Sequence, residues 1–438
     1  MFLSIIAPLP RFVKCNLLTF LFTYGIILYG DFMFFDICVI GGGAAGLTAA
    51  ITAQQKNKKL NIAIIERLDR FGKKISVTGN GRCNITNKNI TPDRYHGKDV
   101  SFAENILCTF DTEDTFRFFD SLGVPLVFEG EKAFPRSLQA SSVTDALRFK
   151  VKELGITELL ETTVNGIEKK GGVFNIKADG KIIKARAVIV ATGLLSGGVK
   201  LGCDGLMFDT LKKAGFKVVE PYPAIVQLKT ETDFVKQLKG IKIDSCATLY
   251  RNGKTISSVF DEVLFCDYGL SGPAILQLSC KAKPGDTIKL DLFHDFTYDE
   301  LYDALLKRRN NLKMRKNDEF LSGLLQKRLG QVVIKRAGIN LNDGVESLSE
   351  TDIDKISRNI KEFSFKVTGT QGFINSQVSL GGLATYQFDK NTLMCGAVPG
   401  LFAAGEILDI TGDCGGFNLQ WAWASGHASA LGAVEFLK

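Results

Sequence analysis

Histidine is nearly missing from this chain: among 438 residues only His96, His294 and His427 occur. They are far apart in sequence, and the 10 cysteines form no Cys-x-x-Cys pair, so neither a metal centre nor a local redox dithiol is expected. No Ser-His-Asp ordering is supported and no carboxylate pair stands out as an acid–base couple, so no catalytic residue is assigned. There is no internal repeat. There is also no aromatic–basic stripe and no RNA-binding module, so no nucleic-acid partner is expected.

What is present is ordinary globular composition, with 45% hydrophobic and 23% charged residues over a length that suits two or three domains. The net charge of +7 comes in short groups such as Lys56–Lys59 and Lys307–Arg309, which read as solvated faces. Cys38 and Cys280 stand in apolar runs, as buried thiols do in a reducing compartment, so a cytoplasmic location is expected.

The uncharged stretch from Cys15 to Gly30, preceded by Arg11 and Lys14, falls short of the roughly 20 residues of a membrane span. No small-x-small cleavage site follows it. Residues 1–32 therefore read as an upstream extension, with Met33 as the working start and a hydrophobic leader or anchor as the alternative. No stable membrane partner is expected unless that segment is an anchor.

Phe35–Ile40 reads as a strand covered on both faces, and the chain then turns through Gly41-x-Gly43-x-x-Gly46 into the Ala-rich helix Leu47–Gln55. Gly41 permits the turn, Gly43 admits a pyrophosphate and Gly46 allows close helix–strand packing. The helix start, with Ala44 and Ala45, offers N–H donors. Leu60–Ile65 is the second strand, and Glu66 follows it where a carboxylate would hold ribose hydroxyls and repel a 2′-phosphate. FAD or NAD therefore fits better than NADP.

A second glycine loop, Gly405-Glu406-x-x-Asp409-x-x-Gly412-x-x-Gly415-Gly416, precedes a helix expected from about Asn418 to Leu437. Its amides near Gly416–Leu419 would stabilise charge on a reduced flavin ring. The third element is Gly72–Asn87, with Gly79-Asn80-Gly81-Arg82-Cys83-Asn84, where small residues let amides approach a ring and Arg82 can neutralise charge. Cys83, Cys414, His427, Trp421 and Trp423 read as packing residues.

The pattern elsewhere gives helices at Phe116–Leu122 and Ser142–Leu154, a hairpin at Val173–Ala178 and Lys181–Ala185, and a buried strand Ala187–Ala191 ending at Thr192-Gly193. Residues 194–294 hold β-like runs (Ala224–Leu228, Cys246–Tyr250, Thr287–Leu292), and helices are expected at Tyr298–Leu312 and Asp318–Leu329. The expected organisation is discontinuous α/β. A Rossmann-type domain at 33–193 and 372–438 encloses a β-rich insertion (194–294, returning at 347–371) and a small helical unit (295–346).

Gly41–Gly46, Gly79–Asn84 with Thr86-Asn87, Phe134-Pro135-Arg136-Ser137, Gly269-Leu270-Ser271-Gly272-Pro273, and Gly405–Asp409 through Gly415-Gly416-Phe417-Asn418 occur in that order. Together they resemble the BaiN-like (aminoacetone oxidase-like) NAD(P)/FAD-dependent oxidoreductases, from about Met33 to Lys438. The resemblance implies a discontinuous FAD domain with an inserted β-barrel and a small helical domain. It also implies FAD contacts from Gly41, Gly43, Ala44, Ala45, Gly46, Glu66, Arg67, Lys74, Thr78, Gly79, Gly81, Arg82, Cys83 and Asn84. Val164 is implied at the adenine. Further contacts are implied from Ala191, Thr192, Gly193, Gly405, Glu406, Asp409, Gly415, Gly416, Asn418 and Leu419.

The chain departs from the family at Leu194-Leu195-Ser196-Gly197-Gly198, where Gly-Leu-Ser-x-Pro is usual, so relatives' substrate specificity is not carried over. The function expected is hydride transfer between a small organic substrate and FAD. The resemblance implies NAD(P)H as the donor. Residues 194–371 hold no second strand–Gly-x-Gly-x-x-Gly–helix unit, so no dedicated nicotinamide domain is expected and NAD(P)H would be a transient co-substrate. Alternatives are an oxygen-using amine oxidase of the same fold, an RNA-modifying flavoprotein, or a redox sensor without turnover.

Overall fold

The computed structural model describes residues 33–438; the readings on residues 1–32 lie outside them. Alternating and continuous apolar stretches build one mixed sheet first, parallel at its centre and antiparallel at one edge. Strand β1 (Met33–Ile40) is buried from Ile37 to Ile40, so water is excluded from both its faces. It leads through the glycine turn into α1 (Ala44–Lys56) and back to β2 (Ile62–Ile65), a right-sized βαβ unit. The remaining strands are β3 (Thr157–Leu159), β4 (Val164–Lys170), β5 (Val173–Ala178), β6 (Lys181–Val190) and β7 (Leu401–Ala403). Their order is β3-β2-β1-β6-β5-β4.

The long strand β6 unites the expected hairpin arm and the buried strand that follows it. Its first half pairs antiparallel with β5, and Val188–Val190 pair parallel with Leu401–Ala403. Both halves of the discontinuous domain therefore meet on one strand. The second half ends in α2 (Phe417–Phe436), one residue earlier at each end than expected. Trp421 and Trp423 are buried in α2, and their indole N–H groups donate to the carbonyls of Gly405 and Ile85. Each ring thus buries a large apolar area without orphaning its polar atom.

The insertion is a closed six-stranded antiparallel barrel, in the order Leu228–Thr230, Gly269–Ser271, Lys254–Cys266, Lys242–Arg251, Thr287–Asp291, Phe363–Thr370 and back to the first. Ala224–Leu228, expected as a strand, spans the gap between two: Val218–Ala224 pairs outside the barrel with Val378–Leu383, and the barrel begins at Leu228. Leu194, Met207, Phe208 and Leu211 share the core of that mixed sheet, so the core runs past the expected break at Gly193.

The helical unit comprises Tyr298–Asn311, Lys327–Arg336 and Glu350–Lys361. The helix expected at Asp318–Leu329 is instead a single turn, Asn317–Glu319, followed by a loop. The buried Asn317 side chain donates there to the Asn340 carbonyl, and the helix starts only at Lys327. Glu350–Lys361 lies inside the span read as returning β structure. Ser349 caps it by accepting from the Asp352 amide, and Ile353, Ile356 and Ile360 face the core. Among the described residues no helix is long and apolar enough to cross a membrane.

Candidate functional site

The glycine turn places α1 against the carboxyl ends of β1 and β6. A side chain at Gly46 would stand 1.9 Å from the Gly41 carbonyl oxygen, whereas one at Gly43 would meet nothing within 4 Å. Gly46 therefore exists for packing and Gly43 for open space in front of a helix start, whose first amides have no intrahelical acceptor.

Glu66 follows β2 and is nearly buried. One carboxylate oxygen accepts the Gly42 N–H at 2.7 Å and the other accepts the Leu68 N–H at 2.9 Å. Each oxygen keeps a lone pair for a further donor, as vicinal hydroxyls would supply.

A crevice beside this carboxylate brings together six sequence-predicted residues: Gly41, Glu66, Arg67, Val164, Thr192 and Gly193. It also recruits Asp204, which the sequence reading missed. Arg67 forms an ion pair with Asp204 and donates to the Val199 carbonyl at 3.2 Å, so its charge is balanced at the crevice wall. The signal available was Gly202-Cys203-Asp204-Gly205, a glycine-flanked acid in a segment read as the start of the insertion.

At the other side of Gly193 stands Glu406, whose carboxylate receives Lys74 at 2.6 Å and the Ser379 amide at 2.9 Å. Burial works against the Lys74 ammonium, but Glu406 overcomes it and raises the lysine pKa. Gly405 lies close to Ala45, so this pair adjoins the start of α1. The departing segment Leu194–Gly198 is held by Ser196, whose hydroxyl lies 2.7 Å from both Ser379 and Ser376, all three being buried.

The third cradle joins the two remaining loops. Gly79, Asn80, Gly81 and Cys83 all have positive φ, between 55° and 82°, in a loop closed by the Cys83 amide donating to the Thr78 carbonyl. Non-glycine residues in that region signal a conformation imposed by the surroundings. Gly416, at φ 100°, caps α2, and a side chain there would strike the Thr86 carbonyl and stand 2.9 Å from Asn84 Oδ1. That Asn84 oxygen is buried and has no hydrogen-bond partner. A polar group that could donate to it is what an isoalloxazine N–H edge offers, so the residues present fit the ring system.

Several predicted residues serve the scaffold rather than point outward. Arg82 pairs with Glu129 and lies 4.3 Å over the Phe134 ring, half-exposed. Asn418 closes its own loop, accepting from the Gly412 amide and donating to the Gly412 and Asp413 carbonyls. The Gly415 carbonyl accepts from Asn87. Asp409 is buried, accepts the Lys98 amide at 3.0 Å, and has its pKa raised by desolvation. Burial pushes the Cys83 thiol up to about 12, so it stays protonated and packs. Asp413 gathers Arg94 at 3.0 Å and His96 at 2.6 Å, an arrangement the sequence reading did not foresee.

Comparison with known proteins follows this geometry. The family described as HI0933-like protein Rossmann domain matches residues 35–432. A protein of Clostridium scindens named 3-dehydro-bile acid delta(4,6)-reductase is 31% identical over 91% of this chain and 99% of its own. One of Escherichia coli strain K12 named ribosomal RNA dihydrouridine synthase is 28% identical over 90% of this chain and 97% of its own. A solved quinol-fumarate reductase with menaquinol molecules is 16% identical, with a TM-score of 0.49, covering 92% of this chain and 71% of that one.

Proposed function

We propose, from the premise that the chain belongs to the HI0933-like protein Rossmann domain family, that this FAD-dependent oxidoreductase uses NAD(P)H to reduce a carbon–carbon double bond conjugated to a carbonyl. FAD, when bound, supplies the two-electron carrier. The observation that carries the reading is the continuity of the three cradles. Glu66 holds ribose hydroxyls, Gly43 with the start of α1 admits the pyrophosphate, and Asn84 with the start of α2 receives the ring. The Lys74–Glu406 ion pair, at the start of α1, stands between them as a charge-balanced donor and acceptor pair.

Two further facts support it. Between the halves of the sheet, the described residues 194–371 form a barrel and helices rather than a second dinucleotide unit, so a nicotinamide donor would dock transiently. The names of both relatives, a delta(4,6)-reductase and a dihydrouridine synthase, denote adding hydrogen across a double bond conjugated to a carbonyl.

Anaerobic titration of the FAD-loaded chain with NADPH and NADH, following the flavin absorption band, tests the donor. Bleaching by either, followed by reoxidation on adding an unsaturated ketone, is expected. A flavin that stays oxidised would overturn the reading in favour of an amine oxidase, detected by peroxide, or a sensor without turnover.

A second reading takes the double bond to be that of a base in RNA. One observation favours it: residues 304–342 hold ten Lys/Arg and two Asp/Glu, a larger net charge than the +7 of the whole chain.

A further inference from the structure

We infer that the basic tip of the helical unit is a docking surface for the phosphate backbone of a structured RNA. The inference rests on the RNA reading above and is independent of the electron donor. The tip is the end of the Tyr298–Asn311 helix and the loop after it, where Lys307, Lys313, Arg315 and Lys316 are exposed. Among the described residues none of these four forms an ion pair with a carboxylate, although the protein has more than twenty ion pairs elsewhere. A solvated face usually interleaves its charges; this one leaves its cations uncompensated.

The tip is also built to hold that charge in place. Arg308 turns inward, donating to the carbonyls of Phe320 and Ser322, and Arg309 donates to the Leu348 carbonyl at 3.0 Å. Arg308 has its pKa lowered, by burial first and by the nearby Arg315 second. The loop is pinned by the Val345 amide donating to the Arg315 carbonyl at 2.9 Å. Two arginines are thus anchored inward on backbone carbonyls, and the backbone bond at Arg315 fixes the loop that carries the outward cations.

The chemistry of the partner follows from what the tip lacks. A protein interface needs a desolvated apolar centre, and the only large hydrophobic side chain exposed here is Met314, at 97%. Long flexible cations without apolar anchors suit a polyanion with regularly repeated charge, whose bound counterions are released on contact. Glu319 and Asp343 are also exposed at this end, and their charge would weaken a polyanion's contact wherever it reached them.

The test uses the FAD-loaded full chain and a fluorescein-labelled RNA hairpin, titrated over a range of potassium chloride concentrations. A triple variant, Lys313→Gln with Arg315→Gln and Lys316→Gln, is compared with a control triple, Lys56→Gln with Lys58→Gln and Lys59→Gln, at the exposed end of α1 and in the turn after it. The expected result is binding at least about tenfold weaker in the first, with a salt slope shallower by about two to three, and unchanged binding in the control. Equal binding by wild type and first variant, or equal loss in both variants, would overturn the inference. Tighter binding of poly-glutamate than of RNA would overturn it in favour of an acidic protein partner. NAD(P)H bleaching of the flavin in the variants reads the proposed function separately: lost bleaching with intact RNA binding would sink that reading and not this surface.

Discussion

At the scale of single residues, two glycines three positions apart do opposite jobs, and substitution separates them. Alanine at Gly46 puts a methyl group into the Gly41 carbonyl, so Gly46→Ala should unfold the turn or cost several times the about 1–3 kcal/mol of ordinary overpacking. Alanine at Gly43 meets no protein atom, so Gly43→Ala should fold with an unchanged melting temperature. It should lose FAD by tenfold or more, because the added methyl occupies the approach of the pyrophosphate. Denaturation curves and flavin retention on a desalting column read the two outcomes; retained FAD in Gly43→Ala would refute the placement.

The places of these glycines in the turn, and of Glu66 just after the second strand, were legible because a strand–turn–helix unit requires particular residue types at one spacing. Asp204 was not, since nothing local marks an acid whose partner, Arg67, lies 137 residues away. Asn84 was legible as part of a motif, yet its unpaired oxygen could be found only once the surrounding loops were in place.

At the scale of elements, α1 and α2 lie against each other, with Gly426 so close to the Ala45 carbonyl that a side chain would stand 2.4 Å from it. One turn of contact is polar: His427 lies 3.4 Å from the Thr52 hydroxyl and 4.7 Å from the Phe110 ring, centroid to centroid. Burial pushes the His427 pKa below its ordinary value, more than Asp114 raises it. The neutral ring is therefore the form the fold prefers. Stability from this contact is complete above the unfolded pKa of about 6.5 and is lost as pH falls from there toward the folded value. Thermal unfolding followed from about pH 8 to about pH 5 should show a falling midpoint, and His427→Asn should flatten part of that fall. An identical pH profile in the variant would exclude His427 as its source.

Element patterns were legible where a run is uniformly apolar, as in β1, or uniformly small, as in α1. Glu350–Lys361 was missed because its apolar face, Ile353, Ile356 and Ile360, sits in an otherwise polar segment next to a true strand, Phe363–Thr370. The helix misplaced at Asp318–Leu329 has helical spacing of its own, but the loop is stapled to Asn340 and Asp343 by tertiary bonds that no local pattern encodes.

At the scale of the whole molecule, the proposed FAD cradle is assembled from segments more than 300 residues apart. Lys74 meets Glu406, Thr86 meets Gln420 and Ile85 meets Trp423. A ligand that touches both segments stabilises their union by mass action, by about 2.7 kcal/mol at a hundredfold excess over Kd. Removing FAD should therefore lower the melting temperature, with amide exchange rising first in Gly72–Asn84 and Gly405–Asn418 while the barrel keeps its protection. Uniform deprotection including Lys242–Arg251 would show that the barrel depends on the cofactor as well.

The distance between those segments also sets a schedule for synthesis. The turn at Gly41–Gly46 leaves the ribosome long before Gly415–Asn418; at about 5–20 residues per second the interval is on the order of 20–75 s. During that time the barrel can close, because its strands all lie in between, but α1 has no α2 to cover it and the ring cradle has one wall. A nascent chain would thus expose the apolar side of β1 and α1 to chaperones, and would take up its flavin only as a late step of its biogenesis.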